Sequence, residues 1–152
     1  MAMRLGTPLP ELDGASQWLG PPVTRAELVG APVLVHFWAV SCYICKNNMP
    51  QINALHQKYG PKGLRVVAVH MPRQEEDMDL GAIVRVRDEL KMEGPCALDN
   101  EHALKEAFQN IEGWVPAYFL FDQSGILKSR VAGEAGVSII ETTLGRLLDA
   151  AE

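Results

Sequence analysis

This chain of 152 residues lacks any basic run. Its 14 Lys and Arg stand against 19 Asp and Glu, a formal net charge of −5. Nucleic acid and anionic membrane surfaces are therefore poor partners. No apolar stretch approaches the ~18 residues of a membrane-spanning helix, so no membrane span is expected. The opening "MAMRLGTPLPELDG" lacks the apolar h-region of a secretory signal. The expectation is a cytoplasmic protein, with a periplasmic or extracytoplasmic mature domain that has lost its leader as the alternative. Cysteine is scarce and odd in number, with three residues. A disulfide-stapled secreted scaffold would carry more, in an even count. Repeats and linkers are absent, and Gly and Pro are too few for disorder. What remains is one domain, 47 % apolar, long enough to bury a sizeable core.

Periodicity divides the chain into elements. After a Pro/Gly-rich start, Gln17–Leu19 leaves room for one short strand. "PVLVHFWAV" (Pro32–Val40) is a continuous apolar, β-branched run that reads as a strand buried on both faces. From Cys42 to Tyr59 the period changes. Cys45, Met49, Ile52, His56 and Tyr59 share one helical face, and Pro50 inside this pattern should bend it. Leu64–Met71 is a second buried strand. "RQEEDMD" reads as a solvated loop. A helix follows with Leu80, Ile83, Val86 and Leu90 on one face. Cys96–Asp99 is a short strand candidate and "EHALKEAF" a short helix. "AYFLFD" and "ILKSRVAG" flank "DQSG", whose turn residues suit a hairpin. A last helix carries Ile140, Leu144, Leu147 and Leu148. This order implies one mixed sheet covered by helices.

Chemistry concentrates in "FWAVSCYICKNNMP" (Phe37–Pro50). Cys42 falls where the buried strand gives way to the helix. Unpaired N–H groups and the helix dipole there favour a thiolate. Cys45, one turn on, lies on the apolar stripe. The pattern predicts an exposed nucleophilic thiol beside a shielded one, the asymmetry that disulfide exchange uses. Two other readings compete with this one. Structural zinc needs four ligands, and no second Cys-x-x-Cys exists, although Cys96 and a histidine could complete a set. Two inert core cysteines would not put Cys42 at a helix start. Cys96 is expected as a packed core residue, with a third redox thiol as the alternative. No metal ligand set is expected, because His56, His70 and His102 have no ligand spacing.

"VLVHFWAVSCYICKNNMP" resembles the active-site segment of the thioredoxin-like superfamily. A strand ending in Phe-Trp-Ala there leads to Cys-x-x-Cys, with a proline five residues after the second cysteine. "WVPAYFLFDQSGIL" resembles that superfamily's cis-proline, strand and hairpin. The "GxPxPxL" opening (Gly6–Leu12) and "RAELVGAPVLVHFWA" are similar to TlpA/ResA-like thiol–disulfide oxidoreductases. The stretch from "VVAVHMPRQEE" to "CALDNEHALKEAF" is similar to thioredoxin-like domains of DipZ-type and NHL-repeat proteins.

The resemblance implies an α/β thioredoxin fold: a central mixed β-sheet flanked by helices, with an N-terminal extension and an inserted strand–helix unit. Residues 1–152 form a single domain on this reading, with residues 1–30 packed on it as the extension. The implied activity is thiol–disulfide exchange with protein thiols, in the reductase direction, with an unidentified redox donor. Cys42 is the implied attacking thiol and Cys45 the resolving thiol. Pro116 is the implied cis-proline, Val115 a strand-like edge for substrate, and Trp38 the floor of the site. Tyr43, Ile44 and Trp114 are substrate-contact candidates. The implied cofactor is none beyond a Cys42–Cys45 redox disulfide, and the implied state is a monomer. Two alternatives stay open: a peroxiredoxin-type thiol peroxidase, and a non-enzymatic binding module using the cis-proline edge. Peroxiredoxins carry Pro-x-x-x-Thr/Ser-x-x-Cys, whereas "WAVS" precedes Cys42.

Five positions depart from the family pattern. Ser41 stands where many relatives have Trp. Tyr43-Ile44 replaces a dipeptide that usually ends in Pro, which frees the Ile44 N–H for a hydrogen bond to the Cys42 sulfur. Asn48 stands where ResA-like proteins place Glu. His36 stands where thioredoxins place a buried Asp. His36 is either the base that accepts the Cys45 proton or a buried neutral histidine bonded to a backbone carbonyl.

Overall fold

A computed structural model describes residues 2–151; Met1 and Glu152, the ends of the single domain read from the sequence, lie outside them. The chain begins with strand β1 (Gln17–Leu19) and a one-turn helix α1 (Arg25–Leu28). Strand β2 (Val33–Trp38) leads into helix α2 (Tyr43–Tyr59), which continues unbroken through Pro50. Strand β3 (Arg65–His70), helix α3 (Leu80–Glu89), strand β4 (Cys96–Leu98) and helix α4 (Ala103–Ala107) follow. Strands β5 (Ala117–Phe121) and β6 (Leu127–Ala132) precede the final helix α5 (Gly136–Ala151).

The six strands form one mixed sheet in the order β1-β4-β3-β2-β5-β6. β2 lies at its centre, parallel to β3 and antiparallel to β5. All six of its residues are buried, which explains its unbroken apolar run. Successive side chains alternate between faces. Leu34 and Trp38 point into a cluster with Cys45, Met49 and Ile52 of α2, Ile83 of α3, and Ile140 and Leu144 of α5. Val33, Val35 and Phe37 point into the opposite cluster with Phe108, Phe119 and Phe121. Leu9, Leu12 and Leu28 of the N-terminal segment are buried in that second cluster. Phe37, Phe108 and Phe119 meet edge to face with centroids 5.3–5.5 Å apart, the arrangement the ring quadrupole favours.

Two local features differ from the periodicity. α1 was not expected, yet its start is written as Thr24-x-x-Glu27. Thr24 Oγ1 accepts the Glu27 amide and Glu27 Oε1 accepts the Thr24 amide, a reciprocal capping box. The loop "RQEEDMD" is not wholly solvated. It forms a 3₁₀ turn over Glu75–Met78, and Asp77 within it is buried. Its carboxylate accepts the Ser41 hydroxyl and the Arg73 amide.

The start of α5 sits against the sheet at a point that tolerates no side chain. A Cβ on Gly136 would overlap the Tyr118 ring. Tyr118 cannot swing aside, because it is buried and its hydroxyl is held by Asn48. Gly136→Ala is therefore expected to lower stability by about 1–3 kcal/mol, read as a reduced urea midpoint with an unchanged m-value.

Candidate active site

The site is assembled where β2 ends. The Met71 amide donates to Trp38 O at 2.8 Å, the last rung between β2 and the segment after β3. The chain then turns tightly, and the Cys42 amide donates to Ala39 O at 2.9 Å. The Val40 amide donates to His70 Nε2 at 3.2 Å. Cys42 is the N-cap of α2, and its Sγ accepts the Cys45 amide at 3.1 Å. The two cysteines are joined by a disulfide, with Cα atoms 5.2 Å apart.

Two expectations about this pair need correction. The hydrogen bond to the Cys42 sulfur comes from the Cys45 amide and not from Ile44. An N-cap side chain reaches the second or third helical amide, and Cys45 is the third. Cys42 is also not exposed, with a relative accessibility of 3 % against 1 % for Cys45. Its sulfur turns inward both to bond Cys45 and to accept that amide, and so it joins the apolar cluster with Trp38 and Ala39.

The other implied site residues range from fully buried to exposed. Pro116 is buried and follows a cis peptide bond from Val115. Trp38 is fully buried and meets the His70 ring edge to face at 4.9 Å. Tyr43 at 74 %, Trp114 at 54 % and Ile44 at 36 % are the exposed large side chains nearest the disulfide in sequence or across the cis-proline. Val115 is half-buried. His36 is buried, on the same face of β2 as Trp38, and its Nδ1 has no hydrogen-bond partner among the described residues. Cys96 is buried in β4, and burial pushes its thiol up to about 11. His56 lies within α2, whereas His102 precedes α4 as its N-cap with φ +60°.

Three supporting residues gave no signal in the sequence. Asn110 is buried and grips Trp114 from both sides. Its Nδ2 donates to Trp114 O at 3.0 Å and its Oδ1 accepts the Trp114 amide at 3.2 Å. Asp77 Oδ2 accepts the Ser41 hydroxyl at 2.8 Å and the Arg73 amide at 2.9 Å. Tyr118 accepts from Asn48 Nδ2 at 3.1 Å, and the same nitrogen donates to Glu134 O at 3.0 Å. "QNIEGW" and "EEDMD" carry no periodicity that would separate Asn110 or Asp77 from solvated neighbours.

A strand-to-helix Cys-x-x-Cys, on a strand whose Phe37 pairs with Ala117 just after a cis-proline, is an arrangement for thiol–disulfide exchange. The AhpC/TSA family model matches residues 5–130. The chain belongs to the AhpC/TSA family. It is 45 % identical over 147 residues to thiol-disulfide oxidoreductase YkuV of Bacillus subtilis, covering 96 % of this chain and 97 % of that one. It is 32 % identical to the protein DipZ of Mycobacterium bovis, matching 94 % of this chain but only 21 % of that longer protein. The solution structure of an oxidised thioredoxin-like protein superposes with a TM-score of 0.88 at 44 % identity, covering 99 % of this chain and 100 % of the other. A thiol-disulfide isomerase of Corynebacterium glutamicum shares the fold, with a TM-score of 0.77 at 22 % identity over 97 % of this chain and 96 % of that one.

Within this family member the interior histidines are held neutral. Burial, and secondarily the charge of His56, lowers His36 to about 4. Burial lowers His70 to about 4 as well, against an opposing pull from Asp77. An unfolded chain takes up these protons near pH 6.5. The folded chain refuses them until about pH 4. The stabilisation from each neutral ring is therefore complete above pH 6.5 and is lost as pH falls toward 4. For His36 alone the loss is about 3 kcal/mol. Urea midpoints measured from pH 7 to pH 4.5 should fall steeply. His36→Leu should flatten that slope, and an equally steep slope in the variant would contradict the assignment.

Proposed function

We propose that this chain is a disulfide reductase acting on protein substrates. The observation that carries this reading is the Cys42–Cys45 disulfide at the N-terminus of α2, in one apolar cluster with Val115 of the cis Val115–Pro116 bond. In the reduced enzyme the Cys42 thiolate attacks one sulfur of a substrate disulfide. The other substrate sulfur leaves as a thiolate and takes up a proton. Cys45, once deprotonated, attacks Cys42 Sγ, which releases the second substrate thiol and closes the internal disulfide. Two electrons pass from the dithiol to the substrate, and an external dithiol donor must return them. Val115 and the exposed Trp114, Tyr43 and Ile44 provide the contact surface for the substrate segment in this reading.

The reductase direction is supported by how little touches the nucleophile. A strongly oxidising couple needs its reduced form stabilised. One amide, that of Cys45, bonds Cys42 Sγ among the described residues, and no cation or imidazole is hydrogen-bonded to it there. Equilibration with glutathione should therefore give a potential nearer about −270 mV than about −120 mV. A value at the oxidising end would reverse the assigned direction.

Substitution separates this reading from its alternatives. Cys42→Ser should abolish insulin reduction, whereas a binding module would lose nothing. Cys45→Ser should accumulate a mixed disulfide with substrate that dithiothreitol releases. Hydrogen peroxide consumption at a rate matching disulfide reduction would instead favour a peroxidase.

A further inference from the structure

A loop of charged residues fixes the Arg73 guanidinium on the Ser41 hydroxyl. Arg73 Nη2 and Nε donate to Ser41 Oγ at 3.0 and 3.3 Å. Ser41 directly precedes Cys42, and its hydroxyl donates in turn to Asp77 Oδ2. Asp77 is 1 % exposed and also accepts the Arg73 amide. One hydroxyl can donate once and accept twice, so all three of these side chains are satisfied together. The carboxylate is spent on the hydroxyl and the loop backbone, and the guanidinium is left at the surface. The ion pairs among the described residues are Lys58–Glu141 and Lys128–Asp122, and Arg73 is in neither. Three of its five N–H donors remain available.

Arg73 lines a groove of about 260 Å³ with Lys105, His102 and Glu112. The groove extends to Gly113, three residues before Pro116. The His102 ring is already engaged, with Nε2 2.8 Å from Pro72 O. Glu112 offsets one of the two cations. Arg73, Lys105 and Glu112 together leave the groove lining one positive charge on a protein whose overall charge is −5, with the buried Asp77 carboxylate one hydroxyl away from the guanidinium.

We infer that Arg73 is a specificity-determining residue that selects substrate disulfides with an Asp or Glu flanking the reacting cysteine. The inference rests on thiol–disulfide exchange at Cys42–Cys45. A substrate chain lying along Trp114–Val115 brings its neighbouring side chains toward this groove. The planar fork of a guanidinium matches a carboxylate there. Ser41 and Asp77 reduce the side-chain freedom that an exposed arginine would otherwise lose on binding.

The test uses three disulfide peptides that differ only in the residue beside the cysteine: Glu, Gln or Lys. At low ionic strength the wild-type protein should give kcat/KM about tenfold higher for the Glu than for the Lys peptide, a gap that 0.5 M salt narrows. Arg73→Gln should shrink the Glu/Lys ratio about threefold. Arg73→Glu should invert the preference, and Arg73→Lys should retain most of it. A ratio that is the same in all four proteins overturns the inference. So does a uniform fall on all three peptides, which would mean that Arg73 only braces the Ser41 turn. If the wild-type protein reduces none of the peptides, the exchange activity itself is refuted and the selection falls with it.

Discussion

Helix α2 is capped by one cysteine of its own redox pair. N-caps are ordinarily Ser, Thr, Asp or Asn, whose oxygen takes up an amide that the helix cannot satisfy internally. Here the acceptor is Cys42 Sγ, 3.1 Å from the Cys45 amide. A neutral sulfur is a weak acceptor, whereas an ionised acceptor makes a markedly stronger bond. The helix end that needs an acceptor and the sulfur that needs stabilisation as an anion therefore satisfy each other best when the disulfide is open. The central strand, the Ala39–Cys42 turn and the apolar seam of α2 all serve to bring that one sulfur to that one amide.

The geometry is held by buried polar side chains that bond backbone or neighbours at the site. His70 takes the Val40 amide, Asn110 brackets Trp114, and Asp77 takes the Ser41 hydroxyl. An unpaired polar group at such depth would cost on the order of 1–3 kcal/mol. Each of these side chains thus penalises alternative paths for the loop it holds. Two segments, Ala39–Cys42 and Trp114–Pro116, are held by side chains that lie outside them. Neither segment is in a helix or strand that could fix it alone.

The central fold was legible in the sequence because its signals are local. The unbroken run Val33–Trp38 marks a strand covered on both faces, and the switch to a helical period at Cys42 places the thiols. The partner strand after Pro116 was equally plain. What the sequence concealed depends on long-range pairing. Asp77 lies 36 residues from Ser41 and Asn48 lies 70 from Tyr118, and neither pairing leaves a periodic trace. An acidic run gives no reason to pick one member as buried. The exposure assigned to Cys42 failed for a related reason. A helix N-terminus predicts access, but the direction of the side chain depends on the bond it makes to Cys45.

The interior behind the disulfide also bears on how Cys45 loses its proton. Asn48 occupies the place of a carboxylate in similar proteins, yet both of its amide hydrogens are used, on Tyr118 and on Glu134 O. It has become a strut joining α2, β5 and the lead-in to α5. His36 is unprotonated at neutral pH, but a ring lowered to about 4 is a feeble proton acceptor. Burial thus weighs against the base role that the position of His36 suggested. In the proposed cycle Cys45 attacks a neighbour 5.2 Å away between Cα atoms, and neither Asn48 nor the buried, neutral His36 is a strong base for it.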